Sequence, residues 1–189
     1  MTLQLRSQSG FNLIELMITV VIFALITAVG VPAFRNFNAK IEARADISKI
    51  YLTLQVARSH AINKSKFTTL CGVEAGRCSK NWGKNLTLFE DSNQNRIIDP
   101  NDIVIQRLPD MGNDFKELRF NRTHLTYRPS GRSPSSAGSL TYCFKSAVPH
   151  SKAWVIAASG RIRPGTDKNK NGIEETGNGR DIQCEPLRS

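Results

Sequence analysis

A chain of 189 residues with 40% hydrophobic content is long enough for one domain with a real core after any membrane segment is set aside. Lys and Arg outnumber Asp and Glu by 26 to 16, for a formal net charge of +10 at pH 7, which directs attention to polyanions such as nucleic acid or an anionic surface. The excess is uneven: from Lys116 to Arg163 nine basic residues face one acid, Glu117, whereas from Lys40 to Asp114 the counts are eleven and nine.

Met1 to Gly10 is polar, with Arg6 and no acid. From Phe11 to Val31, 21 residues carry Glu15 as their single charge. As one helix at about 1.5 Å per residue this run crosses a bilayer core. A lone carboxylate in lipid is costly, so Glu15 is a functional candidate by default. A secretory leader would have a shorter apolar stretch, about 7–15 residues, ending at a small-residue site. Ala28-Val29-Gly30 fits that loosely, and the alternative is cleavage ahead of the run, after Gly10. Arg6 before the helix and Arg35, Lys40 and Arg44 after it do not fix an orientation.

The string Gly10-Phe11-x-Leu13-x-Glu15 before an apolar helix resembles the class III signal of type IV pilins and type II secretion pseudopilins. That resemblance implies removal of residues 1–10 by a prepilin peptidase and N-methylation of Phe11. It also implies a helix over 11–35 in the bacterial inner membrane before assembly, and a periplasmic or cell-surface fibre afterwards. Pro32 falls where many pilin helices carry a proline. Glu15, the fifth mature residue, would pair with the terminal amine of a neighbouring subunit, turning a costly buried charge into an ion pair.

Beyond Pro32, Ile47, Ile50, Leu54, Ala57 and Ala61 recur at three- and four-residue steps, with Lys49, Arg58 and Lys64 between them. This predicts a helix to about Asn63 whose second half covers a sheet. Residues 36–189 form the expected soluble head. Short apolar or alternating runs at Leu86–Phe89, Ile103–Leu108, Leu118–Phe120, Leu125–Tyr127, Leu140–Phe144 and Trp154–Ala157 predict one antiparallel sheet. The fold class is therefore α+β. Composition marks Pro129–Ser139 as a flexible loop.

Cys71, Cys78, Cys143 and Cys184 have no Cys-x-x-Cys spacing, and an even number behind an export-type N-terminus suggests two disulfides in an oxidising compartment. Three connectivities are open. Cys71–Cys78 closing a short loop, with Cys143–Cys184 tying down the tail, is preferred over four reduced thiols. Two Asx-rich runs, Asp91–Asp102 and Asp167–Gly172, place oxygens at alternate positions, as calcium loops do. The first has Arg96 where such a loop needs glycine, and neither ends in a bidentate glutamate. Hairpin turns are the preferred reading, with calcium at Asp91, Asn93, Asn95 and Asp99 as the alternative. No hydrolase elbow, phosphate loop or zinc-protease motif is present, and neither an enzyme nor a cofactor is expected.

In "WVIAASGRIRPG" a buried strand gives way to a Ser159-Gly160 turn and to Arg161 and Arg163. In extended chain that spacing puts both guanidiniums on one face, about 6–7 Å apart, close to the phosphate step along one nucleic-acid strand. Lys168 and Lys170 repeat the spacing. Taken alone, this also describes a solvated edge strand. Together, Trp82-Gly83, the Asx-rich turn, "YRPSGR" (Tyr127 to Arg132), Tyr142-Cys143 and the terminal Gly-Arg-x-Arg are similar to the GspH/FimT family. The resemblance implies the pilin fold and, as in FimT-type minor pilins of natural transformation, double-stranded DNA bound by Gly160, Arg161 and Arg163; Arg132, Lys168 and Lys170 are expected to bind DNA with them. Other pilins would be its fibre partners. A structural minor pseudopilin at a type II secretion tip is the alternative, and a membrane-anchored binding protein without a fibre is a third.

Overall fold

The computed structural model describes residues 12–112, 116–144 and 151–184; at 32, 35, 36 and 39 the description stops at the backbone. Gly10 and Phe11 lie outside the described residues. The chain divides into two units, Met1–Glu42 and Ala43–Ser189.

Helix α1 (Leu13–Lys64) runs unbroken through Pro32. Asn12 starts it: its carbonyl accepts from the backbone N–H groups of Glu15 (3.0 Å) and Leu16 (3.1 Å). Glu15 lies in the first turn, where the positive end of the helix dipole favours a carboxylate. Leu13–Val31 is long and apolar enough to cross a membrane, with mean hydropathy 2.5. Its hydroxyls bond within the helix, Thr19 to the Leu16 carbonyl at 2.8 Å and Thr27 to that of Phe23 at 2.9 Å, so neither leaves an unpaired donor.

In the second unit the helix is amphipathic. Ala43, Asp46, Ile50, Thr53, Leu54, Ala57 and Ala61 are buried, each three or four residues from the next or beside it. Removing Ile50 or Leu54 from water contributes about 1.5–3 kcal/mol apiece. Ile47, expected in the stripe, is half-buried; Asp46 takes the inward position because Lys116 Nζ (2.8 Å) and the Tyr142 hydroxyl (3.0 Å) both donate to its Oδ2. The buried charge is thus paired and further hydrogen-bonded.

The helix covers two antiparallel sheets where one was expected. The first consists of β1 (Thr68–Glu74), β2 (Arg77–Ser79), β3 (Leu86–Glu90) and β4 (Val104–Arg107), ordered β2-β1-β3-β4, with β6 (Leu125–Tyr127) also paired to β1. The second is ordered β5-β7-β8-β9, from β5 (Lys116–Phe120), β7 (Gly138–Phe144), β8 (Lys152–Ile156) and β9 (Ile162–Pro164). Strands β1 and β2 were not anticipated. The β1 sequence TTLCGVE is buried on both faces through Val73, so it lacks the inside–outside alternation that marks a strand. Trp82 joins the sheets: its Nε1 donates to the Arg122 carbonyl at 2.9 Å, and its ring meets Phe120 edge-on at 4.8 Å.

Each sheet turns one face to the helix and covers the other separately. His60 meets Glu90 at 2.7 Å, which puts Glu90, Leu88 and Leu70 on the helix side of the first sheet. Cys71, Val73 and Phe89 point away and pack with Val104 of β4 and Ile98 of the β3–β4 connection. In the second sheet Leu118 and Tyr142 pair on the helix side, and Cys143 and Ala153 point away beneath Ile173, Ile182 and Cys184 of the tail. The disulfides are Cys71–Cys78 and Cys143–Cys184, one in each covered face.

Candidate functional site

The segment read as a flexible loop by composition is instead hydrogen-bonded and packed. Ser133 Oγ donates to the Thr126 carbonyl at 2.8 Å, and Ser136 Oγ accepts from the Thr126 N–H at 3.2 Å. Both serines are buried, Pro134–Ser136 forms a 3-10 turn, and Gly138–Ser139 already belong to β7. Small polar side chains read as disorder, yet they satisfy backbone groups where the chain turns sharply.

That turn docks against the β8–β9 hairpin. The Arg128 N–H donates to the Arg132 carbonyl (2.9 Å), the Gly131 N–H to that of Arg128 (2.8 Å), and the Ser133 N–H to that of Ala158 (3.0 Å). Gly160, at φ +79°, lies so close that a Cβ there would sit 1.8 Å from the Gly131 carbonyl oxygen. Gly131, at φ +71°, leaves no room for a Cβ beside Ile62 of the helix (2.7 Å). Both positions require a left-handed backbone and close approach, which glycine alone supplies without strain. From the helix, Arg58 Nε donates to the same Gly131 carbonyl at 3.1 Å.

Three elements therefore bring arginines to one joint: Arg58 from α1, Arg128 and Arg132 from the turn, and Arg161 from the hairpin. Arg163 lies on β9, the outer edge strand, opposite Val155, while Ile162 between the two hairpin arginines is half-buried opposite Ile156. Arg128, Arg132, Arg161 and Arg163 are exposed. Among the described residues none of these five arginines makes an ion pair. Tyr127 lies buried at the same place with no partner for its hydroxyl, and burial raises its ionisation well above the ordinary phenol range, offset in part by Arg58.

Lys168 and Lys170 are exposed on the tail loop and share no hydrogen bond with that joint. Each acid among the described tail residues accepts hydrogen bonds from the protein. Glu174 pairs with Lys152 and accepts from the Ala153 N–H, Glu175 accepts from the N–H groups of Lys168 and Asn169, and Asp167 from those of Asn171 and Gly172. Asp181 receives the amides of Asn169 (3.1 Å) and Asn171 (2.7 Å). The tail thus presents its cations to solvent.

The first Asx-rich run is built alike. Asn93 and Asn95 both donate through Nδ2 to Asp99 Oδ2, at 2.9 and 2.8 Å, and these bonds hold the Asp99 carboxyl below its ordinary ionisation range. Asp91 is buried and accepts from Thr69 Oγ1 at 2.9 Å. The run connects two paired strands; protein donors close it at Asp99, while the buried Oδ1 of Asp91 has no partner among the described residues. Among the described residues no group of three His, Cys, Asp or Glu side chains gathers that could hold a metal ion.

Arg58 and Arg128 were not singled out in the sequence, although both carry a signal there. Arg58 follows Leu54 by four residues and precedes Ala61 by three, which places it on the flank of the buried stripe. Arg128 and Arg132 bracket Pro-Ser-Gly, a turn composition that brings its two ends together.

This architecture, a long apolar-to-amphipathic N-terminal helix on antiparallel sheets, is that of a type IV pilin. The chain belongs to the GspH family: residues 46–160 match the family described as type II transport protein GspH, and residues 5–31 match the prokaryotic N-terminal methylation motif. In fold it is similar to the type IV minor pilin FimU of Pseudomonas aeruginosa (TM-score 0.52, 18% identity, 69% of this chain and 92% of that one). In sequence it is similar to the type IV major fimbrial protein FimA of Dichelobacter nodosus, 38% identical over 80 residues, 42% of this chain and 46% of the relative. A fimbrial protein of Pseudomonas aeruginosa is 32% identical over 62 residues, 33% of this chain and 40% of that protein. The chain spans less than half the length of these curated relatives.

Proposed function

We propose that this chain is a minor subunit of a type IV pilus-like fibre and binds double-stranded DNA without sequence preference, in support of DNA uptake. In this reading a prepilin peptidase removes residues 1–10, Phe11 is methylated, and the apolar helix holds the subunit in the inner membrane until Glu15 docks it into the fibre, periplasmic first and then at the cell surface. The role is one of assembly and binding, not catalysis. The observation that carries the DNA reading is the pair Arg161 and Arg163, exposed and without a carboxylate partner among the described residues, Arg163 on the edge strand β9 and Arg161 just before it, beside a joint of further arginines. A phosphate backbone supplies the missing counter-charges, and arginine forks match phosphate geometry.

The match to a family described as a type II transport protein favours a second reading, a structural pseudopilin at a secretion tip. One experiment separates the two. The full-length chain in neutral detergent is titrated with random-sequence duplex across a range of salt. Binding at low salt, with log affinity falling linearly against log salt, supports the DNA reading, and R161Q/R163Q lowers that slope by about two while the melting temperature holds. Absence of binding at low salt leaves the pseudopilin.

A further inference from the structure

Resting on the DNA reading above, we infer that the binding site is not the hairpin pair alone: Arg58 of the helix and Arg128 of the turn are phosphate-binding residues of the same site. The argument starts from how this protein treats cations it takes out of water. Four Lys or Arg side chains belong to residues buried wholly or in part among those described: Arg58, Lys116, Arg119 and Lys152. Lys116 pairs with Asp46, Arg119 with Glu117 and Lys152 with Glu174. Arg58 has no carboxylate. One N–H, on Nε, goes to the Gly131 carbonyl, and a guanidinium has four more donors. A partly buried arginine left without a carboxylate is disfavoured, and the turn and hairpin loop that meet it carry three more arginines and no acid.

The backbone brings these segments together. The Gly131–Gly160 contact permits no side chain at Gly160, where a Cβ would lie 1.8 Å from the Gly131 carbonyl oxygen and 3.3 Å from the Arg132 Cα. The Arg128–Arg132 hydrogen bond then draws the far end of the turn to the same place. A joint meant for packing has no need of four arginines on its elements with no acid among its described residues. A joint that receives a polyanion does, because the anion supplies the counter-charge and accepts from the remaining donors. Arg58 also anchors the turn on the helix through Gly131, so it fixes the direction in which Arg128 and Arg132 extend.

The test uses the full-length chain in neutral detergent with the same duplex. Single variants R58Q, R58K and R128Q are compared with R107Q, which removes an exposed arginine on β4 in the other sheet. R128Q and R58Q are each expected to lower the salt slope by about one and to weaken low-salt binding roughly three- to tenfold, with R58K keeping the slope and R107Q unchanged. If R58Q and R128Q behave like R107Q while R161Q/R163Q still lowers the slope, the inference is overturned and the function stands. If the wild type does not bind, both fall. Should R58Q fail to fold, R128Q decides, since its side chain is exposed and only its backbone takes part in the turn.

Discussion

The two sheets of the head are built to one plan and secured by different means. Each turns an outer face away from the helix, covers it with an asparagine-rich loop closed by two amides on one carboxylate, and crosses it with a disulfide. In the first sheet the covering loop runs between β3 and β4, which pair directly, so a strand ladder holds both of its ends. In the second sheet the cover follows the last strand. It is tied by the isolated bridges Thr166–Glu175 and Glu175–Asp181, by Glu174 and by Cys184. The first disulfide closes the β1–β2 hairpin and not the covering loop, which a ladder already holds; in the second sheet the disulfide itself ties the cover down.

Removing each bridge tests that contrast, and here the largest effect is expected. Cys71 and Cys78 are 7 residues apart, Cys143 and Cys184 are 41. Loop-closure entropy then assigns about 2.5 kcal/mol to the first bridge and about 4 kcal/mol to the second. Urea melts of C71S/C78S and C143S/C184S should show the larger loss in the second. Hydrogen exchange should also rise across 166–184 in that variant alone. Equal losses, with the tail still protected, would mean that its side-chain bonds suffice to hold it.

Glycine substitutions give the next effect. Gly76, in the β1–β2 turn, has φ +76° and open space around it, whereas Gly160 has φ +79° and the Gly131 carbonyl in the way. G76A should cost about 1 kcal/mol for the backbone conformation, and G160A roughly 2–4 kcal/mol because the joint must also part. A G160A variant as stable as G76A would show that the turn and the hairpin separate freely.

Much of this arrangement is legible in the sequence, for identifiable reasons. The apolar helix, its Glu15, and the strands β3 to β8 announce themselves by period and composition. The division into two sheets does not, because strand pairing is non-local: nothing near Leu125–Tyr127 in sequence says that it pairs with Thr68–Leu70. β1 is hidden by being buried on both faces. Arg161 and Arg163 are visible as a spacing, but the company of Arg58 is not. That arginine reads as the polar edge of a helix until the fold brings Gly131 onto it.

The smallest expected effect is pH-dependent and is confined to the first sheet's neighbourhood. His124, just before β6, is held below its ordinary ionisation near 6.5, first by burial and then by the Arg96 charge, with Asp91 opposing. No histidine lies among the described residues of the second sheet or its tail. Because the folded state resists protonating His124, the unfolded state binds more protons in the window just below 6.5, and stability falls as pH drops through it. Half-exposure keeps the effect modest. Thermal melts between pH 7.5 and 5 should show wild type losing stability on acidification, and H124Q should flatten that decline. C143S/C184S should shift the whole curve down without changing its slope, since no histidine lies among the described residues of the tail. An unchanged decline in H124Q would move the acid sensitivity to another group, and a changed slope in the tail variant would couple the two covered faces.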